Sequence, residues 1–177
     1  MADQPLAYFI TYTTYGTWLH GDERGSVDDR HNAVDTAWID PDPDRYSAER
    51  AKMTQDAYRL DAARRAIVLD AIVEECRFRG WDLLAAHVRT NHVHMVIATD
   101  IDPVSVMTKC KAHASRRLNS AGFDGPERNR WTFHGSTKYL WRPDAVAGAV
   151  DYTLNRQDGR VMERHEGQWQ QILESVA

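Results

Sequence analysis

Two imidazoles two residues apart, His92 and His94, are the side chains best placed to do chemistry in this chain. They stand in Thr90-Asn91-His92-Val93-His94-Met95-Val96-Ile97, an apolar run with the character of a strand. A strand sends successive side chains to opposite faces, so both histidines point one way and Val93 and Met95 the other. Neutral imidazole ligates divalent metals, and a pair from one strand leaves positions for water, substrate or a further protein ligand. Histidine pairs also arise as ordinary core and edge polarity, so a metal reading needs support from elsewhere in the chain. Tyr152 offers it, in Ala149-Val150-Asp151-Tyr152-Thr153-Leu154-Asn155, at the close of a short helical pattern.

The elements that must position these groups follow from periodicity. Tyr8 to Tyr15 is β-branched and aromatic and reads as a strand ended by Gly16. Residues 17–50 carry Gly21, Gly25, Pro41, Pro43 and many aspartates, and read as a long irregular insertion; Trp18 to Gly25 is the part that could fold over the site. Apolar residues from Leu60 to Phe78 recur at three- and four-residue intervals, which predicts a helix from Ala51 or Thr54 to Arg79, stopped by Gly80. Trp81 to Val88 and His92 to Thr99 form a hairpin about the turn Arg89-Thr90-Asn91.

Asp102-Pro103 opens a second helix to about Asn119, with Val106 or Met107, Cys110, Ala114 and Leu118 on one side and Lys109, His113, Arg116 and Arg117 on another. A strand at Thr137 to Leu140 and a helix from Pro143 that frays before Gly159 follow, and Trp169, Ile172 and Leu173 suit a terminal helix. The order strand, helix, strand, strand, helix, strand is that of an α+β, ferredoxin-like βαββαβ fold with an antiparallel four-stranded sheet. The first and third strands are then central, and the added C-terminal helix can bring Tyr152 back to the histidines.

Composition narrows the class. The 177 residues fit one domain, 1–177, with the 17–50 insertion and a 160–177 extension. A hydrophobic share of 42% and a charged share of 27% suit a soluble, cytoplasmic protein, with no apolar run of membrane-span or signal-peptide length. Cys76 and Cys110 lack metal-type spacing and read as buried thiols. The net charge of −4 conceals an asymmetry: residues 104–142 carry +6, leaving −10 for the remainder. A basic stretch in an acidic chain is what a localised phosphate-binding surface looks like.

Asn91-His92-Val93-His94 followed by a strand, a basic helix and a later helix with one tyrosine resembles the HUH single-tyrosine transposases of insertion sequences. Within them it is most similar to the REP-associated tyrosine transposases. The likeness runs from about Tyr8 to Gly159, and Trp131 to Trp141 adds to it. The resemblance implies a divalent metal, Mg²⁺ or Mn²⁺, held by His92 and His94. It also implies Tyr152 as nucleophile, a 5′-phosphotyrosine intermediate, and single-stranded DNA with hairpin structure as substrate. A tyrosine hydroxyl ordinarily ionises near about 10, so the attack needs a polarised phosphate.

Relatives complete the site with an oxygen ligand about one turn beyond the tyrosine, where this chain has Arg156, which cannot ligate. Asn155 shares the tyrosine's helical face, while Gln157 has the longer arm and precedes Gly159; the expectation adopted is Gln157. Lys109, Arg116, Arg117, Lys138 and Arg142 are expected to hold phosphates, and Trp131 and His134 to stack on bases. The enzyme is expected as a homodimer or monomer. Two other classes stay open: a hairpin-binding regulator that has lost cleavage, and an unrelated metal hydrolase or cupin-like enzyme built on His-x-His, for which the strand signals are too few.

Overall fold

A computed structural model describes residues 4–23 and 40–157. Eight elements follow in order: β1 (Ala7–Thr13), α1 (Pro43–Ala51), α2 (Ala62–Arg79), β2 (Asp82–Val88), β3 (His92–Ala98), α3 (Pro103–Ser120), β4 (Ser136–Leu140) and α4 (Pro143–Asn155). The strands form one antiparallel sheet in the order β2-β3-β1-β4, which makes the histidine strand and the first strand central. The fold is α+β, with the expected βαββαβ order.

The two faces of the sheet are filled differently. Tyr8, Ile10 and Tyr12 of β1, Leu83, Ala86 and Val88 of β2, and Val93, Met95 and Ile97 of β3 bury one face against α2 and α3, chiefly Val68, Ile72, Cys76, Val106, Cys110, Ala114 and Leu118. The other face is apolar over only part of its area. Ala7, Leu84, Ala85, Val96, Ala98 and Leu140 pack there beneath Val146 and Val150 of α4. Towards the β2–β3 turn the same face carries Thr11, Thr13, His92 and His94 instead.

The long helices begin where acidic caps satisfy their first amides: Asp61 accepts from the Arg64 amide, and Asp102 from the Ser105 amide. Gly80, at φ 68°, closes α2 in the left-handed conformation that glycine adopts without strain. Both cysteines are buried and unbridged, as expected.

Two boundaries differ from the sequence reading. The helix expected from Ala51 or Thr54 starts only at Ala62. Residues 54–60 are not helical, and the Tyr58 and Leu60 amides donate to Tyr15 O and Thr90 O at 2.8 and 2.7 Å. The spacing of Leu60 with the helix residues is coincidental: it packs in the same core from a non-helical segment. The stretch 17–50 is also not wholly irregular, since Asp42 caps Asp44 and Arg45 and Pro43 starts α1. The Gly25 end of the Trp18 segment and the tail with Trp169, Ile172 and Leu173 lie outside the described residues.

Candidate active site

His92 opens β3 opposite Thr13, and His94 sits between Thr11 of β1 and His87 of β2. Cross-strand pairing puts these side chains on one face. The two β3 imidazoles lie 4.7 Å apart, edge to face. Each is fixed by its Nδ1: that of His92 donates to Asn91 Oδ1 at 2.7 Å, and that of His94 is hydrogen-bonded to Thr11 Oγ1 at 2.8 Å. The Asn91 carbonyl oxygen can only accept, which puts the His92 proton on Nδ1, and the bond to Thr11 fixes the orientation of the His94 ring.

Burial pushes the His94 imidazole down to about 3, with the nearby His92, His87 and Arg89 acting in the same direction. It is therefore neutral at physiological pH, the state a ligand must have. Phe9 stacks on His94 at 5.5 Å and 21°.

Tyr152 reaches this group from the last turn of α4. Its ring is 5.6 Å from that of His94 and meets Phe9 edge-on at 5.9 Å. The side chain is 42% exposed, so it is held by aromatic contacts yet open to a substrate from solvent. Just past the helix, Gln157 Oε1 accepts from Arg89 Nη1 at 3.3 Å. Asn155 turns back to Asp151 Oδ1 at 2.9 Å, and Arg156 pairs with Asp151 Oδ2 at 2.8 Å. Of the two amides weighed from sequence, Gln157 is the one that reaches the hairpin turn carrying the histidines.

The expected phosphate-binding residues divide between two layers. Lys138 is exposed on β4 in register with Phe9, on the histidine face. Arg142, which precedes α4, forms an ion pair with Asp144. Lys109, Arg116 and Arg117 belong to α3, across the sheet from the histidines. There Arg117 Nε and His113 Nε2 both donate to Glu74 Oε2 of α2, at 3.0 and 2.9 Å, and Arg116 Nη2 donates to His113 Nδ1 at 3.3 Å.

Trp131 packs edge-on to Tyr12 at 5.3 Å and donates Nε1 to Lys111 O and Ser115 Oγ. His134 is exposed beside Phe133. The structure thus gathers His92, His94, Tyr152 and Gln157 at one end of one face, with Lys138 along it. It does not bring the α3 cations or Trp131 to that place.

Residues 50–144 match the sequence model of the family described as Transposase IS200 like. The chain belongs to the IS200-like transposase family. The matched span includes both histidines of this IS200-like transposase and stops short of Tyr152. Among solved structures, the chain is similar to a REP-associated tyrosine transposase bound to a REP hairpin. The likeness has 14% identity and a TM-score of 0.46, over 86% of this chain and 67% of that one. No curated protein matches it. No helix among the described residues of the transposase is long and apolar enough to cross a membrane.

Asn91, Thr11, Phe9, His87 and Arg89 are the neighbours that sequence reading left without a role. Asn91 adjoins the pair in sequence and was legible in principle. The other four arrive through strand register or through the turn.

Proposed function

We propose that this IS200-like transposase is a metal-dependent endonuclease and strand transferase that cleaves single-stranded DNA beside hairpins through a 5′-phosphotyrosine at Tyr152. The observation that carries the reading is the approach of the Tyr152 ring to within 5.6 Å of His94, on the face where His92 and His94 stand 4.7 Å apart. A tyrosine packed for stability alone would have no need of two oriented imidazoles beside it.

The donor set fits a divalent cation, Mg²⁺ or Mn²⁺. His94 is neutral, both Nδ1 atoms are committed to oxygen partners, and an amide oxygen is at hand in Gln157. Among the described residues no cluster of three or more His, Cys, Asp or Glu side chains competes as a metal site. When bound, such an ion neutralises charge on the scissile phosphate and on the leaving 3′ oxygen. His92 and His94 would hold it through their Nε2 atoms, and Gln157 would supply an amide oxygen in place of its contact with Arg89.

Tyr152 Oη attacks phosphorus in line and loses its proton to solvent. The bond from phosphorus to the 3′ oxygen breaks, and that oxygen takes a proton to become a free 3′-OH. The phosphotyrosyl ester keeps the phosphodiester's energy, so another 3′-OH can attack it, release Tyr152 and rejoin strands without a nucleotide cofactor. Lys138 and Arg142 hold phosphates near the cleaved bond. Lys109, Arg116 and Arg117 serve the part of a hairpin that runs round to the α2–α3 layer, while Trp131 and His134 frame the loop between the layers. The enzyme acts as a monomer or homodimer.

The test is a denaturing gel of end-labelled hairpin oligonucleotides from the gene's flanks, incubated with protein and Mn²⁺ or Mg²⁺. A protein-linked band is expected, lost with EDTA and reduced at least about 10³-fold in Tyr152→Phe. One observation favours a second reading. Gln157 Oε1 is occupied by Arg89 and Arg156 stands one turn beyond the tyrosine, as in a regulator that binds hairpins without cutting them. That reading gains if native gels show a complex that survives chelation while no covalent band forms in either metal.

A further inference from the structure

The five residues that lead into β4, 131–135, are tied down with unusual thoroughness. Lys111, buried on α3, donates Nζ to three successive carbonyls, Thr132, Phe133 and His134, at 2.9, 3.4 and 3.2 Å. Burial pushes its ammonium down to about 8, so it remains largely charged at neutral pH and these bonds are charge-assisted. Thr132 N donates to Thr13 O at 3.0 Å, and the two threonine hydroxyls meet at 3.0 Å. At Gly135 a Cβ would come within 2.5 Å of both Met107 Sδ and Thr11 O, so a larger residue would force the loop away. Trp131 closes the near end through its two indole hydrogen bonds.

What this scaffold holds out is an apolar ring in water. Phe133 is 90% exposed, and among the described residues its ring meets only that of His134, edge-on at 4.6 Å. Phe78, 81% exposed, stands instead on a regular helix, α2, on the other layer, with the Arg79 guanidinium 5.6 Å from its ring centroid. An ordered backbone presenting an uncovered aromatic gains nothing for folding from that ring. Its position is informative too. Thr132 is bonded to Thr13, and Thr13 pairs with His92, so the loop stands at the histidine end of the sheet. It also lies within the one segment, 104–142, that carries +6 in an acidic chain.

We propose that Phe133, with His134 at its edge, is a stacking platform for an unpaired nucleobase of the DNA strand next to the cleaved phosphodiester. The site rests on the transposase reading above. Stacking on aromatic rings tolerates any base and suits a strand whose phosphates are held by neighbouring cations.

Fluorescence anisotropy of labelled single-stranded hairpin oligonucleotides tests it, with Phe133→Ala, Phe133→Leu, Phe133→Trp and Phe78→Ala compared with the unaltered chain. Phe133→Ala is expected to weaken binding roughly 5- to 100-fold, the range for losing one stacked base. Phe133→Trp should restore binding, Phe133→Leu should not, and Phe78→Ala should change nothing. Equal binding by Phe133→Ala overturns the platform. So does rescue by Phe133→Leu, which would mark a plain apolar contact such as one with a protein partner. If the unaltered chain binds DNA but forms no covalent band, the cleavage reading fails while the same series still decides the platform. If it binds no single-stranded DNA at all, both fall.

Discussion

The face of the sheet covered by α2 and α3 and the face covered by α4 are built from the same strands, residue by residue in alternation, yet they serve different ends. On the first, apolar residues run from edge to edge: Tyr12, Val93 and Met95 are buried at the level where the second face has Thr11, Thr13, His92 and His94. The second face is apolar only beneath Val146 and Val150. One face stabilises the fold enough that half of the other can be given to polar groups that contribute little to packing. Tyr152 and Gln157 arrive where the apolar patch stops.

That division can be broken from either side. Ile72→Ala, in the core of the first face, should cost about 2–5 kcal/mol in urea unfolding, because a buried aliphatic is replaced by a cavity. If it cost no more than a surface change, the first face would not be the stabilising one. Thr11→Val keeps the shape of the second face but removes the hydroxyl from His94 Nδ1. Affinity for Mn²⁺, followed by electron paramagnetic resonance, should drop about 10- to 100-fold with little loss of stability.

The depressed His94 imidazole gives a pH signature. Below about 6.5 the unfolded chain takes up a proton that folded His94 refuses until about 3, so stability falls by about 1.4 kcal/mol per pH unit across that window and is unaffected above it. Between pH 6.5 and 5 the chain should lose about 2 kcal/mol more than His94→Asn does; parallel losses would place the titration elsewhere. Glu74→Gln should have the smallest effect. It removes the acceptor shared by His113 and Arg117, both partly solvated, and unfolding should shift by less than about 1 kcal/mol while hairpin affinity holds or rises slightly.

Much of this was legible in the sequence, for reasons that differ by residue. His92 and His94 could be placed on one face because strand alternation is local, and α3 could be placed because Asp102 and Pro103 announce its start. His87 was hidden by the turn. Taking Arg89-Thr90-Asn91 as the loop puts Val88 opposite His92, and His87 then points away from the pair. In the fold Arg89 N donates to His92 O, the pairing slides by one residue, and His87 stands opposite His94. Lys111 counted in sequence as one more cation of the basic stretch, and only tertiary packing shows it spent on three carbonyls. Arg117 likewise reads in sequence as one more surface cation, and only the fold sets it 3.0 Å from Glu74 of α2. Composition reports charge, and only packing reports what the charge is already holding.

The two halves of the candidate site also hang from the fold by different means. The histidines are stitched into the middle of a sheet, with strands on both sides. Tyr152 sits nine residues along a helix that starts at Pro143, directly after the edge strand β4. Nine residues of helix make a lever of about 13 Å, so a tilt of about 10° at its root would sweep the tyrosine by about 2 Å while the imidazoles stayed still. Of the two halves of the candidate site, the tyrosine is the one the molecule can aim.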